Sequence, residues 1–409
     1  MNAFRVISSI SAPQFPTHRK EGFFMNRRVT KPNRLRRILE CILSLPSILV
    51  AGFMIFSMLS AMLLFNISGV SHTLSASADF EATDKYNIFI NNTISNALDG
   101  LIYVEKIYRL SDSDQVAPEP NQDYFGQTED PSELDWLFEK VNKRLDGDTL
   151  MFGPDTKLLE KSSATYYLDD SIYSVTWKQP IRNVVYTFAE VKIEDPSQFR
   201  RFMADGVYGS EKQYLTSQMA ASVNAVVASA GDFYKYRNFG HVVVNGEVKR
   251  ATGERFDTCY IDDNGDLLFT RAGEIKDQEQ LQKYVDDHDV RFSICFGPVL
   301  LEDGISCVPP RYPVGEISGN FSRSALCQLG PLHYLIVTAN DEGRYSNFPT
   351  LYSFADALAE LGVKKAYTLD GGQTATIVMN DKVINRVSYG AERYISDIIY
   401  FATAIPNRE

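Results

Sequence analysis

The chain has 409 residues, with 52 acidic against 41 basic side chains and a net charge of -11. That length holds one large core or two modest ones, and the ordinary apolar and charged fractions exclude an unfolded chain. The acid excess argues against a nucleic-acid partner.

The charge is unevenly placed. Before residue 42, Arg5, Arg19, Lys20, Arg27, Arg28, Lys31, Arg34, Arg36 and Arg37 face only Glu21 and Glu40. Cys41 to Ala78 then contains no Asp, Glu, Lys or Arg, and Ile42 to Phe65 is almost wholly apolar. At about 1.5 Å per residue, this run suffices for a bilayer core of about 30 Å. The expectation is a basic cytoplasmic tail over 1–41, a transmembrane helix over 42–66 and an extracytoplasmic remainder, since basic flanks stay inside. A cleaved signal peptide is the rival reading, with Ala76-Ser77-Ala78 as the cut, but the apolar run is long for one. Both readings export the main domain.

Asp84 to Leu110 has helical spacing and reads as a stalk or a packed helix. Ser111 to Pro131 is acidic and rich in Pro, Gln and Asn, as in an extended linker or a surface wrap. Residues 67–131 are therefore assigned to stalk and linker, and 132–409 to the main domain. Ser132 to Asp135 has the S-x-x-D form of a capping box and opens a helix.

Short β-rich runs follow at Tyr166–Leu168, Ile172–Trp177 and Val184–Ile193. Gln198 to Ala204 is read as a short helix. Tyr214 to Ala225 is read as a second helix, running into a strand to Ser229. Val242 to Val248 is a hairpin on Asn245-Gly246, and Cys259 to Phe269 is another. The Asp/Asn cluster of the second lacks the distal Glu of a calcium loop and reads as a turn. His333 to Ala339 is a buried strand. Thr350 to Leu361 is an amphipathic helix, and Lys365 to Leu369 is a strand. Thr376 to Ile384 closes as a hairpin. The class is α+β on a mixed β-sheet with flanking helices.

Cys259, Cys295, Cys307 and Cys327 lie in the exported part, where an even count allows disulfides. Cys295 with Cys307 is the first pair to expect, and four free buried thiols are the alternative. No C-x-x-C or other ligand cluster suggests a metal site, and no motif calls for a cofactor. His241 and His333 flank strands and read as packed or exposed rather than catalytic.

The chemistry gathers at strand ends beside glycine. Gly231 precedes Asp232. Arg311 lies in a Pro-Arg-Tyr-Pro stretch. Asp341 and Arg344 follow the His333 strand. Asp370-Gly371-Gly372-Gln373-Thr374 follows Tyr367-Thr368-Leu369. An arginine offers a phosphate a bidentate fork. A carboxylate supports a developing oxocarbenium ion or an attacking water, and bare glycine backbone lets a sugar ring approach.

In this order the residues resemble the phosphodiester glycosidase family, from about Tyr166 to the end. The matches are Gly231-Asp232, Gly297-Pro298-Val299-Leu300 before Asp303-Gly304, Pro310-Arg311 with Gly315, Asp341-Glu342-Gly343-Arg344, and Leu369-Asp370-Gly371-Gly372. Weaker likeness to membrane-anchored bacterial members reaches back to about residue 100. The resemblance implies hydrolysis of a sugar-1-phosphodiester in an envelope glycan or exopolysaccharide. Family members release N-acetylglucosamine from such a linkage. It implies Asp370, Asp232 and Arg311 as catalytic, with Arg344, Asp341, Gly371, Gly372, Gln373, Thr374 and Gly231 contacting substrate. The partner is a sugar phosphodiester or phosphorylated glycan. The pattern is broken at Ala230, where the family has Asn, and at Gln373-Thr374-Ala375, where it has Gly-Ser-Ser. The departures keep a second function open, a catalytically impaired carbohydrate-binding or envelope-assembly protein on the same fold. Arg393 also has a family counterpart and reads as structural.

Overall fold

The computed structural model describes residues 108–129, 134–142, 145, 149–152, 163–252, 255–313, 317–340 and 347–406. They belong to one compact unit that begins at Glu105. The expected membrane span, Asp341, Arg344 and the Ser132 cap lie outside the described residues. No helix among the described residues is long and apolar enough to cross a membrane.

Three sheets organise the unit. The largest has nine strands in the order β1 (Phe125–Thr128), β2 (Ala164–Leu168), β3 (Ile172–Ile181), β4 (Val184–Ile193), β15 (His333–Asn340), β14 (Arg323–Gly330), β16 (Lys365–Leu369), β12 (Val299–Glu302) and β13 (Ile305–Ser306). A second runs β10 (Leu267–Thr270), β9 (Thr258–Asp262), β11 (Val290–Ile294), β7 (Gly240–Val244) and β8 (Glu247–Thr252). The third runs β18 (Lys382–Val383), β17 (Ile377–Met379), β6 (Val227–Ala230), β19 (Asp397–Phe401) and β5 (Phe199–Met203). Helices are few: α1 (Asp135–Asn142), α2 (Thr216–Ser222), α3 (Gln278–Asp287) and α4 (Leu351–Glu360).

β15 is buried along its whole length because both faces are covered. Leu335, Val337 and Ala339 pack with Leu351, Phe354, Ala355 and Leu358 of α4. The alternate residues Tyr334 and Ile336 pack with Phe199, Val227, Ile261, Ile294 and Phe401 of the two smaller sheets. The α4 helix starts where expected, with the Thr350 hydroxyl accepting from the Ser353 N–H at 3.1 Å.

The α+β class holds, but among the described residues the strand pairings are antiparallel rather than mixed. The strand–helix–strand order of β15, α4 and β16 suggests a parallel unit. Both strands pair with β14 instead, which lies between them and runs against each.

The short helix expected over Gln198 to Ala204 is a strand, β5, paired to β19 with Arg201 opposite Ile399. Its apolar residues have helix-like spacing only because the strand is nearly buried on both faces. The two Asx-type hairpins form as read, with Asn245 and Gly246 both at positive φ.

Of the two readings of the acidic segment, the described part is the surface wrap. The Leu110 N–H donates to Ser197 Oγ at 2.7 Å, Asn224 Nδ2 to the Ala117 carbonyl at 2.9 Å and Tyr400 Oη to the Gln115 carbonyl at 3.1 Å. β1 then forms the edge of the large sheet.

The disulfide expectation fails. Cys259, Cys295, Cys307 and Cys327 are all free. The Cys295 thiol is buried 3.8 Å from Thr258 Oγ1, and burial pushes it up to about 12. Cys307 lies beyond the β12–β13 turn against the Ile305 carbonyl. Both histidines are packed. His241 Nδ1 meets Tyr260 Oη at 2.7 Å, and burial lowers its pKa to about 4. His333 Nε2 lies 2.9 Å from Glu190 Oε1, with both side chains buried.

Candidate active site

Three chain segments meet where the third sheet abuts the large one. β6 ends at Ala230 and delivers Gly231 and Asp232. β16 ends at Leu369 and delivers Asp370. The segment before β19 delivers Arg393 to Ser396. Together they line a small cleft with Asp232, Phe233, Tyr236, Asp370, Thr374 and Arg393 on its walls, and the space in it open to a water-sized sphere is about 10 Å³.

Asp232 is held rather than free. Its Oδ1 accepts from the Phe233 N–H at 2.6 Å and its Oδ2 from the Cys295 N–H at 2.7 Å. Beneath it sits Asp397, whose carboxylate accepts the Asp232 N–H at 3.1 Å and Arg201 Nε at 2.8 Å. Arg201 Nη2 reaches Asp232 Oδ2 at 3.6 Å. Gly231 is a steric requirement of this cluster, because a Cβ there would fall 2.5 Å from Asp397 Oδ2. Burial pushes the Asp397 carboxyl up to about 6, against the pull of Arg201 and with a smaller push from Asp232.

Asp370 leaves the strand with its Oδ1 accepting from the Gly371 N–H at 2.9 Å. Burial raises its pKa above the ordinary carboxylate range, while Thr374, Arg393, the Gly371 amide and Arg237 pull it down. A more basic carboxylate in a cleft suits proton transfer. Gly371 passes so close to the next strand that a Cβ would lie 2.4 Å from the Ser322 carbonyl oxygen. Gly372 takes the positive φ of the turn, at 65°. Gln373 does not, so the side chain that replaces the family glycine carries no left-handed strain; its Nε2 donates to the Ala391 carbonyl at 3.3 Å. The Thr374 hydroxyl donates to the Gly371 carbonyl at 2.7 Å.

Two guanidinium groups flank the Phe233 ring. Arg237 lies 5.1 Å and Arg393 5.3 Å from its centroid, and both bear on Asp370. Arg237 is also held over Phe256 and Phe296 at 4.8 and 4.6 Å. Its buried Nη2 has no hydrogen-bond partner among the described residues. Arg393 lies over Tyr236 at 5.3 Å.

The structure thus brings together Gly231, Asp232, Asp370 and Thr374, with Gly371 to Gln373 in the adjoining turn. It does not place Arg311 with them. Arg311 is exposed, lies outside the cleft lining and has no ion-pair partner among the described residues. The cations beside the acids are Arg393, read from sequence as structural, and Arg237, which sequence reasoning missed. Arg201 and Asp397 were missed as well. Asp397 was legible only as a near neighbour of Arg393, and Arg201 carried no sequence signal.

Residues 223–402 match the phosphodiester glycosidase family. The match begins just before β6 and ends just after β19, so it contains all three segments of the cleft, while β5 with Arg201 lies before it. No curated protein matches. Similar solved structures are distant. The catalytic domain of zebrafish N-acetylglucosamine-1-phosphodiester alpha-N-acetylglucosaminidase, auto-inhibited by its pro-peptide, is 16% identical with a TM-score of 0.47, covering 63% of this chain and 92% of that one. A Synechocystis protein is 14% identical with a TM-score of 0.41, covering 57% and 62%. A Burkholderia pseudomallei protein is 12% identical with a TM-score of 0.39, covering 54% and 74%.

Proposed function

We propose that the chain is a membrane-anchored hydrolase that cleaves a sugar-1-phosphodiester in an extracytoplasmic glycan. The carrying observation is the juxtaposition of Asp370 with two guanidiniums across the Phe233 ring. A phosphodiester needs a cationic fork, and Arg393 on the cleft wall supplies it, with the buried Arg237 adding positive charge nearby. A glycosidic carbon needs a carboxylate beside it, and Asp370 supplies one whose raised pKa favours taking or giving a proton. The departing phosphate monoester is a good leaving group, so strong acid assistance is unnecessary. Asp232 is committed to backbone N–H groups and orients the Gly231–Phe233 wall rather than reacting. The anchor and outward orientation rest on the basic residues before the uncharged stretch 42–66.

The test is release of N-acetylglucosamine from the methyl diester of N-acetylglucosamine-1-phosphate by the purified full-length chain. Asp370→Asn lowers turnover by about 100-fold or more. A second reading is favoured by Ala230, which lines the cleft where the family carries Asn: a non-catalytic sugar binder. Sugar binding with no release by the parent chain selects it.

A further inference from the structure

A groove of about 440 Å³ lies at the β1 edge of the large sheet, lined by Tyr124, Trp136 and Tyr166 together with Asp123, Asp170 and Lys140. Small-ligand sites run to about 300–1,000 Å³, so a short run of sugar rings fits. Four strands, β3, β4, β15 and β14, separate β2 from β16 and hence the groove from Asp370. Every residue lining it lies outside 223–402, so the family match does not account for it.

Packing does not explain its aromatic wall. α1 turns Leu137, Phe138 and Val141 into the core. Trp136 stays on the outer face of that helix, 45% exposed, and Tyr124, just before β1, is 46% exposed. Tyr166 is opposite Gly126 in the β1–β2 ladder. Its ring lies across that glycine, where a Cβ would fall 2.2 Å from Tyr166 Cζ. The same ring meets Trp136 edge to face, with the centroids 6.0 Å apart. Gly126 thus lets Tyr166 brace a tryptophan that the core does not need. A braced ring loses little freedom when a ligand stacks on it.

The polar groups narrow the ligand. Asp123 and Asp170 are exposed acceptors at the rim. Asp169 is buried in the floor, where it accepts from the Ser171 and Ile172 N–H groups at 2.7 and 2.9 Å. Three carboxylates repel an anion. A cation is disfavoured as well, because Lys140 Nζ already lies 5.2 Å from the Trp136 ring centroid. An uncharged ligand with flat apolar faces and many hydroxyls suits both signs, since a hydroxyl donates to a carboxylate and accepts from an ammonium. A pyranose is such a ligand, and its C–H face stacks on exposed rings. Exposed Trp and Tyr also suit a membrane surface, but anionic headgroups repel the acids beside them. We propose that this groove is a carbohydrate-binding site for a neutral oligosaccharide, separate from the cleft. It stands whether or not the cleft hydrolyses a phosphodiester.

The chain has two tryptophans, and Trp177 is buried, so Trp136 emission reports on the groove. The full chain in detergent micelles is titrated with neutral tetrasaccharides of glucose, mannose, galactose and N-acetylglucosamine. At least one is expected to shift the emission to the blue and to shield it from iodide. By calorimetry, Trp136→Ala and Tyr124→Ala each weaken that sugar about tenfold, and Trp136→Phe, which keeps an aromatic face, retains most of the affinity. Tyr124→Ala leaves the reporter ring in place, so it decides the matter should Trp136→Ala not fold. Arg393→Ala, in the cleft, leaves the affinity unchanged. A panel that produces no shift overturns the proposal, as does an affinity that follows Arg393 rather than Trp136 and Tyr124. So does a Trp136 that phosphatidylglycerol vesicles shield from iodide with no sugar present, because that marks a membrane contact.

Discussion

Arg201 Nε donates to Asp397 Oδ2 at 2.8 Å, and the two side chains are at most 1% exposed. They come from paired strands and lie diagonally across the ladder, since Arg201 is opposite Ile399 and Asp397 opposite Met203. Asp232 completes the cluster at 3.6 Å from Arg201 Nη2. Removing the cation strands two carboxylates in the interior. Arg201→Leu is therefore expected to destabilise by about 3–5 kcal/mol, whereas Asp397→Asn, which keeps a hydrogen-bonding amide, costs less. Urea unfolding of the two variants checks the order; equal midpoints would show that the cluster is not a linked unit.

The same cluster makes stability depend on pH. Asp397 titrates from an ordinary 3.8 to about 6 in the fold. Between these values the folded chain keeps a proton that the unfolded chain has released. The slope is then negative: this group's contribution is fully present below about pH 4 and declines by about 3 kcal/mol as pH rises to about 6. The groups facing it are Asp232, Arg201 and Tyr234, and only Asp232 shares its sign. Unfolding midpoints taken from pH 4 to 7 should lose this limb in Asp397→Asn. An identical profile in the variant would assign the titration elsewhere.

Arg393 and Arg311 make opposite predictions. Arg393 lies in the cleft with its guanidinium against Phe233 and Tyr236. Its replacement by Ala should raise KM for a sugar phosphodiester by about 10- to 100-fold, and Lys should restore little, because a stacked planar fork is lost. Arg311→Ala should stay within about twofold of the parent, as expected for an exposed residue outside the cleft. Steady-state kinetics on the two variants separates them. A large effect at Arg311 would return it to the site.

What the sequence showed and hid follows from the range of the interactions. The Asn245-Gly246 hairpin, the α4 helix and the turn after Leu369 are local, so turn chemistry and spacing sufficed to place them. The Asp370 and Asp232 loops were legible because glycine marks backbone that another chain approaches closely. Arg201 was not, because its partner lies 196 residues away and its strand mixes an arginine with apolar residues on each face, which erases the two-residue period. Arg237 was hidden for a similar reason: the rings of Phe233, Phe256 and Phe296 that cage it come from three segments. Arg311 was favoured by a motif, and a motif does not say which way a loop faces.

The two glycines after Asp370 should respond differently to alanine. At Gly372 nothing lies within 4 Å of a new Cβ, so the cost is the left-handed φ alone, about 1 kcal/mol. At Gly371 the Cβ would meet the Ser322 carbonyl oxygen at 2.4 Å, a backbone atom that cannot swing aside. The same carbonyl accepts the Gly372 N–H at 3.1 Å, so moving it breaks the bond that docks this turn on β14. Gly371→Ala should therefore cost about 2–3 kcal/mol and also shift Asp370, whose Oδ1 is anchored on the Gly371 amide. Thermal melts rank the two variants, and sugar-phosphodiester turnover reports the displaced carboxylate. If Gly372→Ala proves the more damaging in both assays, close approach is not what this turn requires of Gly371.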